Sequence, residues 1–505
     1  MKRWISKLRS QRLRGSVKGI WRHSTVNDDR RANASSLRLF TGVMLWVSVC
    51  ALLYAGKGEV GSSLERALDL ARSELLLLIG TVVAASLLRV LAPSIFHSTT
   101  RILLLAACGM FSVIPADILL NLHRQAPELT HSTIEFLIPF TLAPLLSGVL
   151  LGAAAATVVG LWVSYVCTVL FENSLPVLVT GLIATAAVAS LIPRVRRRTQ
   201  IIRIGLIVGA LEATAVVAFL NSQPPDMQVG LRQVFACLVD GVASALVVVT
   251  VLPVLESFFG LTTNITLLEL SDLGHPLLQR LAFEAPGTYH HSLMVANLAQ
   301  AAADEIAANP ILSRVGAYFH DIGKLTKPGY YSENIQGGET PHGSLAPSMS
   351  ALLVMSHVKE GLGLAMLHKL PKPVMCIIQQ HHGTGLVAFF HHKAGERASL
   401  EARESGRTRS KSVDESAYRY PGPRPASREA SIIMLADAVE AASRSIEKPT
   451  AAHISELVDR LVDSRLEDGQ LDESDMTLAE LARVKRAFVF CLTNMLHSRI
   501  AYPGK

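Results

Sequence analysis

Charged residues are scarce in this chain of 505 residues: they make up 18% of the sequence, whereas hydrophobic residues make up 50%. A soluble protein usually has about 25% charged residues, so the composition argues against a purely soluble protein. It also excludes disorder as a general description, because disordered chains are poor in apolar residues and rich in charge. The six cysteines form no Cys-x-x-Cys pair, which argues against a disulfide framework or a zinc ribbon.

Positive charge is distributed unevenly along the chain. The net charge of +7 comes from the first half, whereas residues 256–505 have slightly more acidic than basic side chains. A long nucleic acid is bound through a cationic face, so no nucleic-acid polymer is expected as a partner of the second half. Binding of a small anionic ligand by the second half remains possible, since a bound metal can supply the positive charge.

Long apolar stretches dominate the first half. Each has about 17–22 residues, a length that crosses a bilayer as a helix. Eight such stretches lie at 39–56, 75–93, 101–120, 133–150, 152–171, 175–193, 204–221 and 233–254. The sequence therefore predicts an all-α chain whose first half is a polytopic transmembrane bundle in the lipid bilayer, with about eight crossings.

Basic residues predict the orientation of this bundle. They cluster in residues 1–38 and again in residues 194–203, and both clusters are expected on the cytoplasmic side. Six predicted crossings separate the clusters, which is an even number, so the two signals agree. Two further crossings return the chain to the cytoplasm, and we expect both termini there.

Three carboxylates fall inside or beside the apolar stretches, namely Asp117, Glu212 and Asp240. A carboxylate is costly in lipid, so such residues usually face the interior of a bundle. Two interpretations stay open for them: a ligand or proton site within the bundle, or ordinary hydrogen bonding between helices.

The second half has the pattern of an all-helical soluble domain. Apolar residues recur at helical spacing in segments at 289–308, 311–319, 345–360, 371–381, 427–446, 454–466 and 477–497. We expect a basic tail at 1–38, the bundle at 39–255, a connector at 256–288 and the helical domain at 289–505. Residues 393–417 have no apolar face and are rich in Arg, Glu, Ser and Gly, which predicts a flexible insertion.

Histidines are concentrated in this domain, with ten of the 17 between residues 290 and 392. Several are doublets or stand beside a carboxylate, in the sequences YHHS, FHDIGK, SHVKEG, QQHHGT and LADAVEA. Imidazole and carboxylate together suit first-row divalent metals. Cys376 is the one cysteine near these motifs, which disfavours a thiolate site. The pattern predicts a metal centre built from histidine and aspartate.

These motifs, together with RYPGPRPASREASIIMLADAVEAASRS and LEDGQLDESDMTL, resemble the seven-transmembrane HD family of PgpH-type membrane cyclic-di-AMP phosphodiesterases. The resemblance covers about residues 262–503, and the apolar bundle is similar in kind. Members commonly have a large extracellular domain after the first crossing. This chain has the short loop Lys57–Glu74 in that place, so sensing of an extracellular ligand is not expected.

The resemblance implies two divalent metals, with iron or manganese favoured, and seven ligands. The ligands are His291, His320, Asp321 and Asp437 for one metal, and His357, His381 and His382 for the other. The Asp321 carboxylate is expected to bridge both metals. His290 is the alternative to His291 within the histidine doublet, but the family pattern favours His291.

The implied activity is hydrolysis of cyclic-di-AMP to pApA by a hydroxide that bridges the two metals and attacks phosphorus. Asp321, His320 and Lys324 are the expected catalytic residues, and Lys324 and Arg444 are the expected substrate contacts. Lys324 follows Asp321 by three positions, so the two share a face if the helix continues. A bacterial inner membrane and a homodimer are implied as well.

Three other functions stay open, of which transport through the bundle is suggested only by Asp117, Glu212 and Asp240. An HD hydrolase could act on another nucleotide or on cyclic-di-GMP. The HD-GYP enzymes for cyclic-di-GMP have HHExxDGxGYP at the histidine doublet, whereas this chain has HHGTGL, which disfavours that substrate. The remaining alternative is a non-catalytic membrane receptor that binds a nucleotide, and the intact set of seven ligands argues against it.

Overall fold

The computed structural model describes residues 63–96, 98–125, 131–219, 227–335, 341–404, 413–446 and 450–497. The chain divides into two compact units, with the boundary after Ile265. All regular elements in the described ranges are helices, and the β-structure there is limited to an isolated bridge between Leu386 and Arg419. The prediction of an all-α chain is confirmed.

The first unit is a bundle of long apolar helices. In chain order they are α1 (Ser63–Leu91), α2 (Pro93–Phe96), α3 (Thr99–Gln125), α4 (His131–Ile134), α5 (Leu142–Leu151), α6 (Ala153–Leu170), α7 (Leu175–Leu191), α8 (Arg198–Phe219) and α9 (Met227–Phe259). Short 3-10 helices lie at Glu135–Leu137 and Ile192–Arg194.

Six described helices of this unit, α1, α3 and α6 to α9, are long and apolar enough to cross a membrane. Glu135–Leu151 is a shorter apolar segment between them. Large apolar side chains such as Val90 and Val254 are exposed on the helix surfaces, as expected where lipid replaces water. The polytopic bundle is confirmed, while the crossing predicted at 39–56 lies outside the described residues.

The crossing predicted at 133–150 is interrupted in its first half. A 3-10 helix precedes Pro139, and α5 begins only at Leu142, because proline has no N–H to donate to a helix. The Ser112 hydroxyl donates to the Pro139 carbonyl (2.6 Å) and accepts from the Ala143 N–H (3.1 Å). A side chain of α3 therefore satisfies two backbone groups at the interruption.

The second unit follows the short helix α10 (Asn264–Leu270), which spans the boundary between the units. Its helices are α11 (Pro276–Glu284), α12 (Pro286–Glu305), α13 (Pro310–Phe319), α14 (Pro347–Leu367), α15 (Lys372–Gln380), α16 (Ala388–Glu404), α17 (Arg428–Ser443), α18 (Ala451–Glu467) and α19 (Leu478–His497). Its 3-10 helices lie at Ile322–Thr326, Pro328–Tyr330, Ser332–Asn334, Pro341–Gly343 and Glu415–Tyr418.

One apolar core holds the helices of the second unit together. It includes the fully buried side chains of Phe319, Ile433 and Phe488, and burial of such side chains stabilises a fold by about 1.5–3 kcal/mol each. Helix α14 has the length and hydropathy of a membrane crossing. Its buried face includes Ser350 and His357, and it packs against α15 and the 3-10 helix after α13, so it is a helix of this domain.

Residues 393–417 differ from the flexible insertion that the sequence predicts. Helix α16 continues through the first part of this segment, and a 3-10 helix occupies its end. Near the start of α16, Phe390 packs with Ala351 and Tyr418 in a small apolar cluster. The anchoring side chain precedes the segment, which is why the segment's own composition gave no sign of the helix. Residues 405–412 lie outside the described ranges.

Candidate metal centre

The His-Asp pair stands at the end of α13. Asn309 caps the start of this helix by accepting two backbone N–H groups. His320 and Asp321 follow the last helical turn, and a 3-10 helix runs from Ile322 to Thr326. The α-helix ends at Phe319, as the predicted segment 311–319 does, so Asp321 and Lys324 do not share the face of a continuing α-helix.

Gly323 allows the 3-10 helix to approach α14 closely. A Cβ atom added there would overlap the carbonyl oxygen of His357 on α14. The missing side chain lets the 3-10 helix pack directly against the α14 backbone, at the residue that supplies one predicted ligand. Backbone approach of this kind is a usual reason for glycine.

Five segments supply the seven predicted ligands, which the structure brings into two groups. Helices α12, α14 and α17 supply His291, His357 and Asp437. The residues directly after α13 and α15 supply His320, Asp321, His381 and His382. Within each group all ligand atoms lie within 4.8 Å of one another; the groups are His291, His320 and Asp437, and Asp321, His357, His381 and His382.

Asp321 lies between the two groups and is 1% exposed. Its Oδ2 atom is 3.3 Å from His320 Nε2 and 3.7 Å from His291 Nε2. Its Oδ1 atom is 3.3 Å from His357 Nε2 and 3.7 Å from His381 Nε2. One carboxylate oxygen therefore faces each group, which is the arrangement that a bridging carboxylate requires.

Three of the histidines are held in the same way. In His320, His357 and His381, Nδ1–H donates to the backbone carbonyl three residues earlier, at 2.7, 2.6 and 2.9 Å. This bond selects the neutral tautomer in which Nε2 carries a lone pair. All three Nε2 atoms lie beside Asp321, so the backbone orients them as ligands.

His291 is anchored by Glu440, a residue that the sequence analysis did not single out. The Oε2 atom of Glu440 lies 2.5 Å from His291 Nδ1. Its Oε1 atom accepts from Arg444 Nε (2.9 Å) and Nη2 (2.8 Å). Metal-binding histidines usually donate their second N–H to such a partner. The available signal was the spacing, since Glu440 stands one helical turn after Asp437.

The two histidines of the doublet on α12 differ in burial, and this difference shows which of them faces the centre. His291 is buried in the centre, whereas His290 is exposed. Successive residues of a helix point about 100° apart, so the two imidazoles of the doublet cannot face the same site. The structure therefore brings His291, and not His290, to the other predicted ligands.

Lys324 is half-buried between two carboxylates. Its Nζ atom is 2.8 Å from Asp321 Oδ2 and 2.7 Å from Glu333 Oε1. Glu333 also accepts from the Thr288 hydroxyl (3.0 Å), and the Asn334 side chain accepts from the Thr288 N–H (3.0 Å). These bonds fasten the 3-10 segment that carries Glu333 and Asn334 to the first turn of α12.

Burial and neighbouring charges set the protonation states of the centre. Burial opposes ionisation of Asp321, but the Lys324 ammonium and nearby imidazoles hold its pKa well below the usual range. Burial lowers the pKa of His381 to about 3, so this imidazole stays neutral. Burial also opposes protonation of His291, but hydrogen bonds to two carboxylates raise its pKa to about 9. A proton and a metal therefore compete for His291 Nε2.

Two tyrosines complete the surroundings of the centre, and the sequence analysis named neither. The Tyr420 ring lies against the His382 ring, with centroids 4.3 Å apart and an interplanar angle of 31°. The Lys324 ammonium lies 5.1 Å from the centroid of the Tyr331 ring. Both aromatic residues stand outside the histidine motifs, so their spacing gave no signal.

The chemistry of the donors fits divalent metal ions. His320 Nε2 and Asp321 Oδ1 are buried and have no hydrogen-bond partner among the described residues, although an unpaired buried polar group costs about 1–3 kcal/mol. A metal ion accepts both lone pairs. The set of imidazole nitrogens and carboxylate oxygens, without a thiolate, suits first-row divalent metals.

Two family models match the chain in succession. A model described as a 7TM receptor with intracellular HD hydrolase matches residues 68–263, and an HD domain model matches residues 288–442. The first match contains the described crossings of the bundle. The second contains all seven predicted ligands.

Two curated relatives match across the boundary between the units. The chain is 39% identical over 309 residues to the cyclic-di-AMP phosphodiesterase PgpH of Bacillus subtilis (strain 168), a match of 61% of this chain and 42% of the relative. It is 36% identical over 377 residues to the cyclic-di-AMP phosphodiesterase PgpH of Listeria monocytogenes serotype 1/2a (strain 10403S). That match covers 74% of this chain and 51% of the relative. The chain therefore spans about half the length of these relatives.

A solved structure is similar to part of this chain. It is the HD domain of L. monocytogenes phosphodiesterase PgpH in complex with cyclic-di-AMP. The two sequences are 42% identical, the match covers 45% of this chain and all of that chain, and the TM-score is 0.41. The two family models match successive parts of the chain, the receptor model at 68–263 and the HD domain model at 288–442. This chain is therefore similar to the seven-transmembrane HD family, since its first half matches the model of a 7TM receptor with intracellular HD hydrolase and its second half matches the HD domain model.

Proposed function

We propose that this protein is a membrane-bound, metal-dependent phosphodiesterase that hydrolyses cyclic-di-AMP to pApA. One observation carries the proposal: the two oxygens of the Asp321 carboxylate face different groups of ligands. A carboxylate in this position can bridge a pair of metals, and metal pairs are suited to phosphodiester hydrolysis. The names of the PgpH relatives support cyclic-di-AMP as the substrate.

In this proposal the seven side chains hold two divalent metals. One metal takes His291, His320, Asp321 and Asp437, the other takes His357, His381 and His382, and Asp321 is shared. Iron or manganese is proposed from the family resemblance, and nitrogen and oxygen donors without a thiolate are compatible with either metal. When bound, the metals supply Lewis-acid activation of water and of the phosphate.

The chain's own contribution is to fix these ligands before substrate arrives. Backbone carbonyls hold three imidazoles with Nε2 directed at Asp321, and Glu440 does the same for His291. Fixed ligands lower the reorganisation that binding requires, which is the general advantage of a preorganised site.

Lys324 and Arg444 are the proposed contacts of the two substrate phosphates. Lys324 is 14% exposed, and a phosphate can replace Glu333 as its partner while the contact with Asp321 is kept. Arg444 is 40% exposed, and its Nε and Nη2 atoms both contact one oxygen of Glu440. It keeps free donors for an anion, because a guanidinium has five N–H groups.

We place the protein in a bacterial inner membrane with both termini in the cytoplasm. The basic clusters of the sequence support this orientation, and the HD domain is then on the side where nucleotides are made. The homodimer that the family resemblance implies is part of the same proposal, and sedimentation of the full chain in detergent tests it.

A substrate panel tests the proposed activity. The full chain in detergent is loaded anaerobically with Fe(II) or Mn(II) and incubated with cyclic-di-AMP, cyclic-di-GMP and linear dinucleotides, and the products are separated by chromatography. We expect pApA from cyclic-di-AMP at a rate at least about tenfold above any other substrate. Preferential cleavage of cyclic-di-GMP would overturn the substrate assignment, and tight binding of cyclic-di-AMP without cleavage would favour a receptor.

A further inference from the structure

Buried carboxylates within the bundle are not all satisfied by hydrogen bonds. Near the end of α9, Glu256 Oε1 accepts from the Thr263 N–H at 2.9 Å. Glu212 on α8 and Asp240 on α9 differ, although they are only 1% and 6% exposed. Glu212 Oε1 and Asp240 Oδ2 are buried and have no hydrogen-bond partner among the described residues.

Glycines bring these two carboxylates together by letting α8 and α9 pack at very short range. A Cβ atom added at Gly205 would overlap the carbonyl of Gly241, and one added at Gly209 would overlap the carbonyl of Cys237. The order of these contacts makes the helices antiparallel. Helical side chains tilt toward the N-terminus of their own helix, so the two carboxylates tilt toward each other and interact directly.

Thr141 adds a third oxygen from the interrupted segment before α5. It is fully buried and lies within hydrogen-bonding reach of both carboxylates, although its hydroxyl oxygen makes no hydrogen bond of good geometry with the described residues. The hydroxyl of Ser244, one turn along α9, donates to Asp240 Oδ1 at 2.9 Å. Oxygens from three segments therefore lie close together inside the bundle.

The negative charge of this cluster can be neutralised by protons or by a cation. Two ionised carboxylates carry two negative charges in a medium where an unpaired charge is costly, and neither interacts with a lysine or arginine among the described residues. A single proton neutralises one charge and satisfies one oxygen. A divalent cation neutralises both charges and can bind all three oxygens at once.

We propose that Glu212, Asp240 and Thr141 form a site for a hard divalent cation of the magnesium class. Hard cations prefer oxygen ligands, and magnesium is usually held by one or two carboxylates while it keeps several waters. The bound cation stabilises the contact between α8 and α9. This inference does not depend on the proposed phosphodiesterase activity.

Tryptophan fluorescence tests the proposal, because all four tryptophans of the chain precede residue 163 and report unfolding of the first unit. The full chain is placed in detergent with its HD centre already loaded with Mn(II), and melting is followed with added Mg²⁺. We expect the tryptophan melting temperature to rise by about 4 °C or more at a Mg²⁺ concentration roughly 100 times Kd. An equal ionic strength of KCl should give no such rise.

Variants locate the effect. Glu212→Gln and Asp240→Asn keep the side-chain shape, remove one charge each, and should abolish the rise, while Thr141→Val should weaken Mg²⁺ binding at least about threefold. Glu256→Gln is the matched control, since it changes a buried carboxylate of α9 with a backbone partner, and it should keep the full rise. The proposal is overturned by an equal rise in Glu212→Gln, by no rise in the parent chain, or by a rise that acidification produces without Mg²⁺.

Discussion

Glu440 shows how a residue outside the ligand set controls the centre. Its carboxylate fixes His291 through Nδ1, and Glu440→Gln keeps the size of the side chain while removing its charge. We predict that Mn(II) affinity falls by about 10–100-fold, because loss of a partner of a ligating histidine has effects of this size. Equilibrium titration of the full chain with Mn(II) measures the change.

Glu456→Gln on α18 is the control for that experiment, because Glu456 is an exposed glutamate of the same unit. Its Mn(II) affinity should equal that of the parent chain. If Glu440→Gln also bound Mn(II) with parental affinity, the role assigned to Glu440 in orienting His291 would be wrong.

Sequence reasoning found the candidate ligands because each stands in a short local motif. The structure brings together all seven, including Asp437, which lies 116 positions after Asp321 in the sequence. Glu440 and Tyr420 were missed because their roles depend on which neighbour they touch in space. The pairing of Lys324 with Glu333 is likewise a tertiary contact that spacing along the chain does not encode.

At the scale of single elements, the 3-10 helix after α13 controls the position of α14. Gly323 has no side chain where it meets the His357 carbonyl, so Gly323→Ala forces the two segments apart. We predict a loss of about 1–3 kcal/mol in the free energy of unfolding, as for other overpacked sites. Mn(II) affinity should fall by about tenfold or more, since His357 moves with α14. Thermal unfolding and metal titration measure both effects.

Gly363→Ala is the matched control, because it makes the same substitution on α14 at a position with open space around the added methyl group. A helical Gly→Ala change usually stabilises a protein by about 0.5–1 kcal/mol. Equal behaviour of the two variants would contradict the claim that the 3-10 helix positions His357.

Element boundaries were predictable where local signals mark them. Asn309-Pro310 marks the start of α13, and Asn309 caps it as such residues usually do. The break at Pro139 was missed because the apolar run continues through it, and hydropathy does not register the loss of one backbone donor. The helix through 393–404 was missed because its apolar anchor, Phe390, lies before the segment.

At the scale of the whole molecule, the two units have separate cores. All seven predicted ligands lie in the second unit, whose core extends from Leu267 on α10 to Leu492 on α19. We predict that a fragment comprising residues 264–505 folds alone, with helical content by circular dichroism matching the described helices. It should bind as many Mn(II) ions as the full chain. An unfolded or metal-free fragment would show that the membrane unit is required to form the centre.

The central claim is a pair of metals bridged by Asp321, and electron paramagnetic resonance of the Mn(II)-loaded full chain tests it most directly. Metals about 3.5–4 Å apart should give the spectrum of a spin-coupled pair, with two ions per chain. Asp321→Asn should remove the coupling and lower cyclic-di-AMP turnover by about 100-fold or more, while the exposed Asp304→Asn changes neither. Full turnover by a chain that holds one isolated Mn(II), or coupling that survives in Asp321→Asn, would contradict the account.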